Sequence, residues 1–74
     1  MTPYKDLSGN SGVTAFEIRE TAIVIRFKHG GSYLYDYQIP GRADVEEMKR
    51  LAVNGRGLAT YINKRVRKRF VRKL

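Results

Sequence analysis

The stretch "AIVIRFKHGGSYLYDYQI", residues 22–39, constrains the fold more than any other part of the chain. Ile23, Ile25 and Phe27 recur with period two while Arg26 and Lys28 take the alternate positions, the pattern of a strand with one buried face. Tyr33, Tyr35 and Tyr37 repeat that period beyond "HGGS", where glycine supplies the φ > 0 that tight hairpins need. An odd-length loop at His29–Gly31 sets the three tyrosines on the same face as Ile23, Ile25 and Phe27. The chain must therefore contain a strand–turn–strand hairpin, and something must cover its apolar side. Upstream, "GVTAFEI" (12–18) alternates enough for another short strand, with Val13 and Phe16 as inward candidates.

The cover comes from two helical patterns. Pro40 stops the sheet and suits a helix entry. In "GRADVEEMKRLAVNG", Val45, Met48, Leu51 and Ala52 share one helical face, Asp44 and Glu47 have capping-box spacing, and Asn54-Gly55 signals a C-cap. Leu58, Ile62, Val66 and Phe70 then follow at i, i+4 steps, with Tyr61 beside them. The expected fold is α+β: a small three-stranded antiparallel sheet packed against two helices, the C-terminal helix basic. Residues 11–70 form a single domain, 1–10 a loose N-terminal arm, and 71–74 a basic end that frays past Phe70. At 74 residues without cysteine, the chain depends on one nearly continuous core, with neither disulfides nor a Cys-based zinc site to help. The predicted core contains Ile25, Phe27, Tyr35, Met48, Leu51, Ile62 and Val66.

"AIVIRFKHGGSYLYDYQIP", an acidic-start helix and "NGRGLATYINKRV" together resemble the KTSC domain, named for its occurrence at the C-terminus of some lysyl-tRNA synthetases. Ile23, Ile25, Phe27, Gly30, Tyr33, Tyr35 and Pro40 match the family's strand–glycine turn–strand–proline order, and Gly55, Leu58 and Ile62 match its last segment. The chain departs from the pattern by one extra residue between Tyr35 and Ile39-Pro40, and by Ala59 where the family usually has Asn. The resemblance implies a nucleic-acid-binding or accessory role for residues 11–70.

Charge narrows the partner class independently. Residues 1–60 hold eight basic and seven acidic residues, 8 − 7 = +1, whereas residues 61–74 hold seven basic residues and no acid, +7. A near-neutral body with a concentrated positive end points to nucleic acid or an anionic surface. Lys64/Lys68, Lys64/Arg67 and Lys68/Arg72 are like-charged pairs at i, i+3 and i+4, which repel on a helix unless a polyanion offsets them. On a helical wheel Lys64, Arg67, Lys68 and Arg72 face away from the apolar stripe, with Arg65 at its border and Arg69 and Lys73 on it. These residues are the expected nucleic-acid contacts, made to phosphates, and Arg56 in "NGRG" is a further candidate beside the N–H groups that open the second helix.

Other chemistry finds little support. His29 is the only histidine and has neither an orienting carboxylate nor further ligands in view, so catalytic and metal sites are both expected to be absent. There is no phosphate-cradling glycine loop and no dinucleotide fingerprint, so no cofactor is expected. The chain is expected to be non-enzymatic. The tyrosines spaced by two offer either a base-stacking platform or core; the hairpin parity favours core. The N-terminal "MTPYKDLSGNSG" lacks an apolar signal-peptide region and no stretch approaches the roughly 20 apolar residues of a membrane span, which leads to an expected cytoplasmic location. The expected partner is RNA or DNA, bound by a monomer or weak dimer. The alternatives are an acidic protein partner and an anionic membrane surface into which Phe70, Val71 and Leu74 insert.

Overall fold

A computed structural model describes residues 1–74. Five strands, β1 (Thr2–Pro3), β2 (Val13–Arg19), β3 (Ala22–Phe27), β4 (Gly31–Asp36) and β5 (Arg72–Lys73), form one antiparallel sheet in the order β1-β2-β3-β4-β5. Two helices lie in the chain between β4 and β5: α1 (Arg42–Asn54) and α2 (Leu58–Tyr61), the latter running on as a π-helical turn, Ile62–Val66. No helix is long and apolar enough to cross a membrane.

The α+β class is as the sequence indicates, but the three-stranded sheet is not. Two strands of two residues each flank the central three, one contributed by each end of the chain. The expected loose arm is pinned by Thr2 and Pro3, which pair with Phe16 and Ala15. Beyond them Tyr4 is buried, its N–H donates to Thr14 O at 2.9 Å, and its hydroxyl accepts the Leu58 N–H at 3.3 Å. The expected frayed end is likewise paired. Arg72 and Lys73 lie against Leu34 and Tyr33, and the N–H groups of Val71 and Leu74 donate to Leu34 O and Ser32 O at 2.7 and 2.8 Å. Backbone groups along both outer strands thus find partners that a frayed end would leave to water.

The central hairpin has the expected parity. Ile23 faces Tyr35 and Ile25 faces Tyr33 across β3–β4, the turn being the three residues Lys28–Gly30 with Gly31 at φ 81°. Val13 and Phe16 are both buried although three residues apart. A regular strand would send them to opposite faces; the register shift between Val13 and Ala15 adds the extra residue that brings both inward.

One core fills the space between this face and the helices. Val13, Phe16, Ile23, Ile25 and Tyr35 from the sheet meet Val45, Met48 and Ala52 from α1 and Leu58, Ile62 and Val66 from the last helical segment. Phe27 and Leu51, expected within the core, are only partly buried and pack on its margin. Helix α1 begins at Arg42 after Gly41 with no side-chain cap, so Asp44 is already inside the first turn and makes no capping box with Glu47. Its other end follows the expected C-cap: Gly55, at φ 79°, donates its N–H to Leu51 O at 2.9 Å.

The greatest departure is at the C-terminal helix. It stops at Val66 rather than Phe70: the Arg67 N–H closes a five-residue turn onto Ile62 O, and Arg67 itself takes φ 54°. The chain then doubles back so that Phe70 packs edge-on against Tyr33 and Tyr35, ring centroids 4.6 and 6.3 Å away. Burying that ring, together with the β5 hydrogen bonds, offsets the cost of holding an arginine at φ 54°, ψ −120°, about 1–3 kcal/mol for a non-glycine residue in so sparse a region.

Candidate functional site

The reversal at Arg67 decides where the basic residues lie. Lys64 and Arg65 stand exposed on the helical segment, and Arg67 and Lys68 form the turn. Arg69 is drawn back, donating to Asp44 Oδ2 at 3.3 Å and to Arg65 O. Arg72 and Lys73, on adjacent positions of β5, point to opposite faces of the sheet. The expected arrangement, with Lys64, Arg67, Lys68 and Arg72 on one face of a continuous helix, is therefore not formed. All seven basic residues of 61–74 are nevertheless exposed, and of these only Arg69 has an acidic partner.

Arg56 does not join them. It sits in the connector between α1 and α2, at the far end of the 13-residue α1 from the Asp44–Arg69 pair, a separation of roughly 20 Å at 1.5 Å per residue. The first N–H of α2, expected to be open for a phosphate, is taken by the Tyr4 hydroxyl. His29 is exposed in the β3–β4 turn, and no group of histidine, cysteine or carboxylate side chains is arranged to hold a metal ion.

A groove of about 480 Å³ opens beside the Arg67–Lys68 turn. The β3–β4 hairpin supplies Phe27, Gly30, Tyr33 and Tyr35, and the last helical segment and the chain after it supply Ile62, Asn63, Arg67, Lys68 and Phe70. Tyr33 is met edge-on by both flanking rings, Phe27 at 5.6 Å and 75° and Phe70 at 4.6 Å and 63°. Lys73 Nζ lies 5.8 Å from the centre of the same Tyr33 ring, within cation–π range. Aromatic surface and unpaired cations thus meet at one place.

The three alternating tyrosines have three different fates. Tyr35 is core, and burial, with Tyr33 adding, pushes its hydroxyl up to about 12. Tyr37 is held at the other end of the sheet: its hydroxyl donates to Glu46 Oε2 at 2.6 Å, and Arg42 and Lys49 lie 5.4 and 5.5 Å from its ring centre. That hydrogen bond, chiefly, raises the Tyr37 hydroxyl pKa and lowers that of Glu46. Of the three, Tyr33 and Tyr35 line the groove, Tyr33 half-buried and Tyr35 buried. Sequence reasoning missed the part of Asn63, whose place on the rim follows from helix phase, and of Phe70, whose place follows from the reversal.

No family model, curated protein or solved structure matches the chain.

Proposed function

We propose that the protein is a small non-enzymatic module that binds nucleic acid, RNA or DNA, mainly through phosphates, using the basic segment 61–74. The observation that carries this reading is that Lys64, Arg65, Arg67, Lys68, Arg72 and Lys73 are all exposed without an acidic partner, Asp44 being the one acid paired with the segment, to Arg69. Glu17 pairs with Arg19, Glu46 with Lys49, Glu47 with Arg50 and Asp44 with Arg69. A surface on which six cations share no acid holds them close together at an electrostatic cost that phosphates relieve, with release of condensed counterions. The resemblance to the KTSC domain points the same way.

Arg56, in the connector between α1 and α2, remains a separate candidate contact apart from the Asp44–Arg69 pair. The membrane alternative loses its principal anchor, because Phe70 packs against Tyr33 and Tyr35 rather than toward solvent. Titrating a labelled duplex and a labelled single strand with the protein at two salt concentrations tests the reading. Binding should be weakly dependent on sequence and fall steeply with salt; an absence of binding at low salt refutes it.

A further inference from the structure

We infer that the groove between the β3–β4 hairpin and the Arg67–Lys68 turn receives one unpaired nucleobase of a single-stranded nucleic acid, an inference that rests on the phosphate-binding reading above and deepens it. Its volume, about 480 Å³, lies within the range of about 300–1,000 Å³ typical of small-ligand sites. Its lining combines aromatic rings, Phe27, Tyr33, Tyr35 and Phe70, with a side-chain amide and two cations. That combination matches a ligand that is flat and apolar on its faces, hydrogen-bonding at its edge and negatively charged on either side. An unpaired base within a strand has all three properties, and recognition of splayed bases by aromatic side chains is the usual means of reading single strands.

The roles follow from position. The cluster of Phe27, Tyr33 and Phe70 supplies the stacking surface, and the Lys73 ammonium, 5.8 Å from the Tyr33 ring centre, moves off that ring to a neighbouring phosphate when a base lies on it. Asn63, exposed on the helical segment, presents an amide with both donor and acceptor capacity to the base edge. Arg67 and Lys68 meet the neighbouring phosphates. A base within a duplex is already stacked and paired and cannot enter without unpairing, so the groove discriminates by strandedness. An acidic peptide would satisfy the cations but would leave the aromatic wall without a planar partner.

Gly30 provides the test. Its φ is not left-handed, and the atoms nearest a Cβ there would be Phe27 Cβ at 3.7 Å, Tyr33 Cε1 at 3.8 Å and the Tyr33 hydroxyl at 3.9 Å, which is ordinary contact. Gly30→Leu therefore fills the groove without altering a charge, and Asn63→Leu removes the edge contact from an exposed helical position. Fluorescence anisotropy of labelled single strands about ten nucleotides long, and of the matching duplexes, is measured on the full chain, with melting curves to verify folding. The parent should prefer the single strand by roughly tenfold or more, the worth of one stacked base. Gly30→Leu should abolish that preference with duplex affinity unchanged, and Asn63→Leu should reduce it. Equal parent affinity for the two forms, or a preference that survives in the folded Gly30→Leu protein, overturns the groove assignment while leaving phosphate binding intact. If Gly30→Leu does not fold, an undiminished preference in Asn63→Leu overturns it. Displacement of the strand by poly-glutamate as efficiently as by unlabelled single strand assigns the groove to an acidic protein instead. Binding of neither nucleic acid removes both readings together.

Discussion

The Tyr61 hydroxyl donates to Asp44 Oδ1 at 2.5 Å, and this contact ties the start of the basic segment to the first turn of α1. The second oxygen of that carboxylate receives Arg69 Nη2 at 3.3 Å. A single acid thus holds the helical segment and the chain beyond the Arg67 reversal. It is also the one acid that neutralises part of the proposed binding surface.

Stability and binding should consequently move in opposite directions in Asp44→Ala. Loss of the part-buried Tyr61 hydrogen bond is expected to cost about 1–2 kcal/mol, while the exposed Arg69 pair contributes little. Affinity for a duplex should hold or rise, since Arg69 is released and a negative charge is gone. Chemical denaturation alongside duplex titration measures both. A variant as stable as the parent would show that the contact is inert.

Burial raises the Tyr61 hydroxyl to about 12, with the Asp44 hydrogen bond and charge adding to it, and burial also raises Tyr35 to about 12. In the unfolded chain both titrate near 10. The folded state therefore retains protons that the unfolded state gives up between pH 10 and about 12, so stability is fully present below pH 10 and falls as pH rises through that window. Following the tyrosinate absorbance beside the circular dichroism, Tyr35 and Tyr61 should ionise late and together with alkaline unfolding, and Tyr37, held by Glu46, also above its ordinary range. Ionisation of all five tyrosines near pH 10 with the fold intact would contradict this.

The N-terminal strand gives a sharper test of the fold. Tyr4 fills the core and its hydroxyl accepts the Leu58 N–H. Tyr4→Ala should cost about 3–5 kcal/mol, in the range of other buried aromatics, and Tyr4→Phe about 1 kcal/mol. Thermal melts of the two variants separate this from a loose arm, for which neither substitution matters.

What the sequence made legible depended on length. Ile23 to Tyr35 alternate over enough residues to fix both the hairpin and its parity, and Val45, Met48 and Ala52 phase α1 securely. Strands of two residues, Thr2–Pro3 and Arg72–Lys73, carry no alternation at all, so the sheet reads as three-stranded until tertiary pairing adds its edges. The stripe Leu58, Ile62, Val66 was correct, and Phe70 continued it by spacing alone. Arg67, a good helix former with no glycine beside it, gives no sign of a helix end; what ends the helix is the distant demand of Tyr33 and Tyr35 for the Phe70 ring. The candidate site inherited that error. Its residues were named, but their common helical face was not real.

The connector glycines should respond unequally. Gly55 and Gly57 are both left-handed, φ 79° and 85°, yet a Cβ on Gly55 would lie 2.7 Å from Lys5 Cβ, whereas the nearest atom to one on Gly57 is 3.8 Å away. Gly57→Ala should cost about 1–2 kcal/mol from conformation alone, and Gly55→Ala distinctly more, because β1 and its anchor must shift as well. Equal losses in denaturant midpoints would show that the close approach of Lys5 is not felt.

Phosphate binding by the unpaired cations of residues 61–74 has a salt signature that no other role shares. Its most direct measurement is the salt dependence of duplex affinity for the parent and for the quadruple variant Lys64→Gln, Arg67→Gln, Lys68→Gln, Arg72→Gln, none of whose side chains is in an ion pair and all of which are exposed. Affinity should fall at every salt concentration, and the log–log slope should flatten by about 0.9 for each duplex phosphate no longer neutralised, with the melting curve unchanged or slightly improved as like charges are removed. A folded quadruple variant with the parent's affinity and the parent's slope would rule out phosphate binding by these four residues.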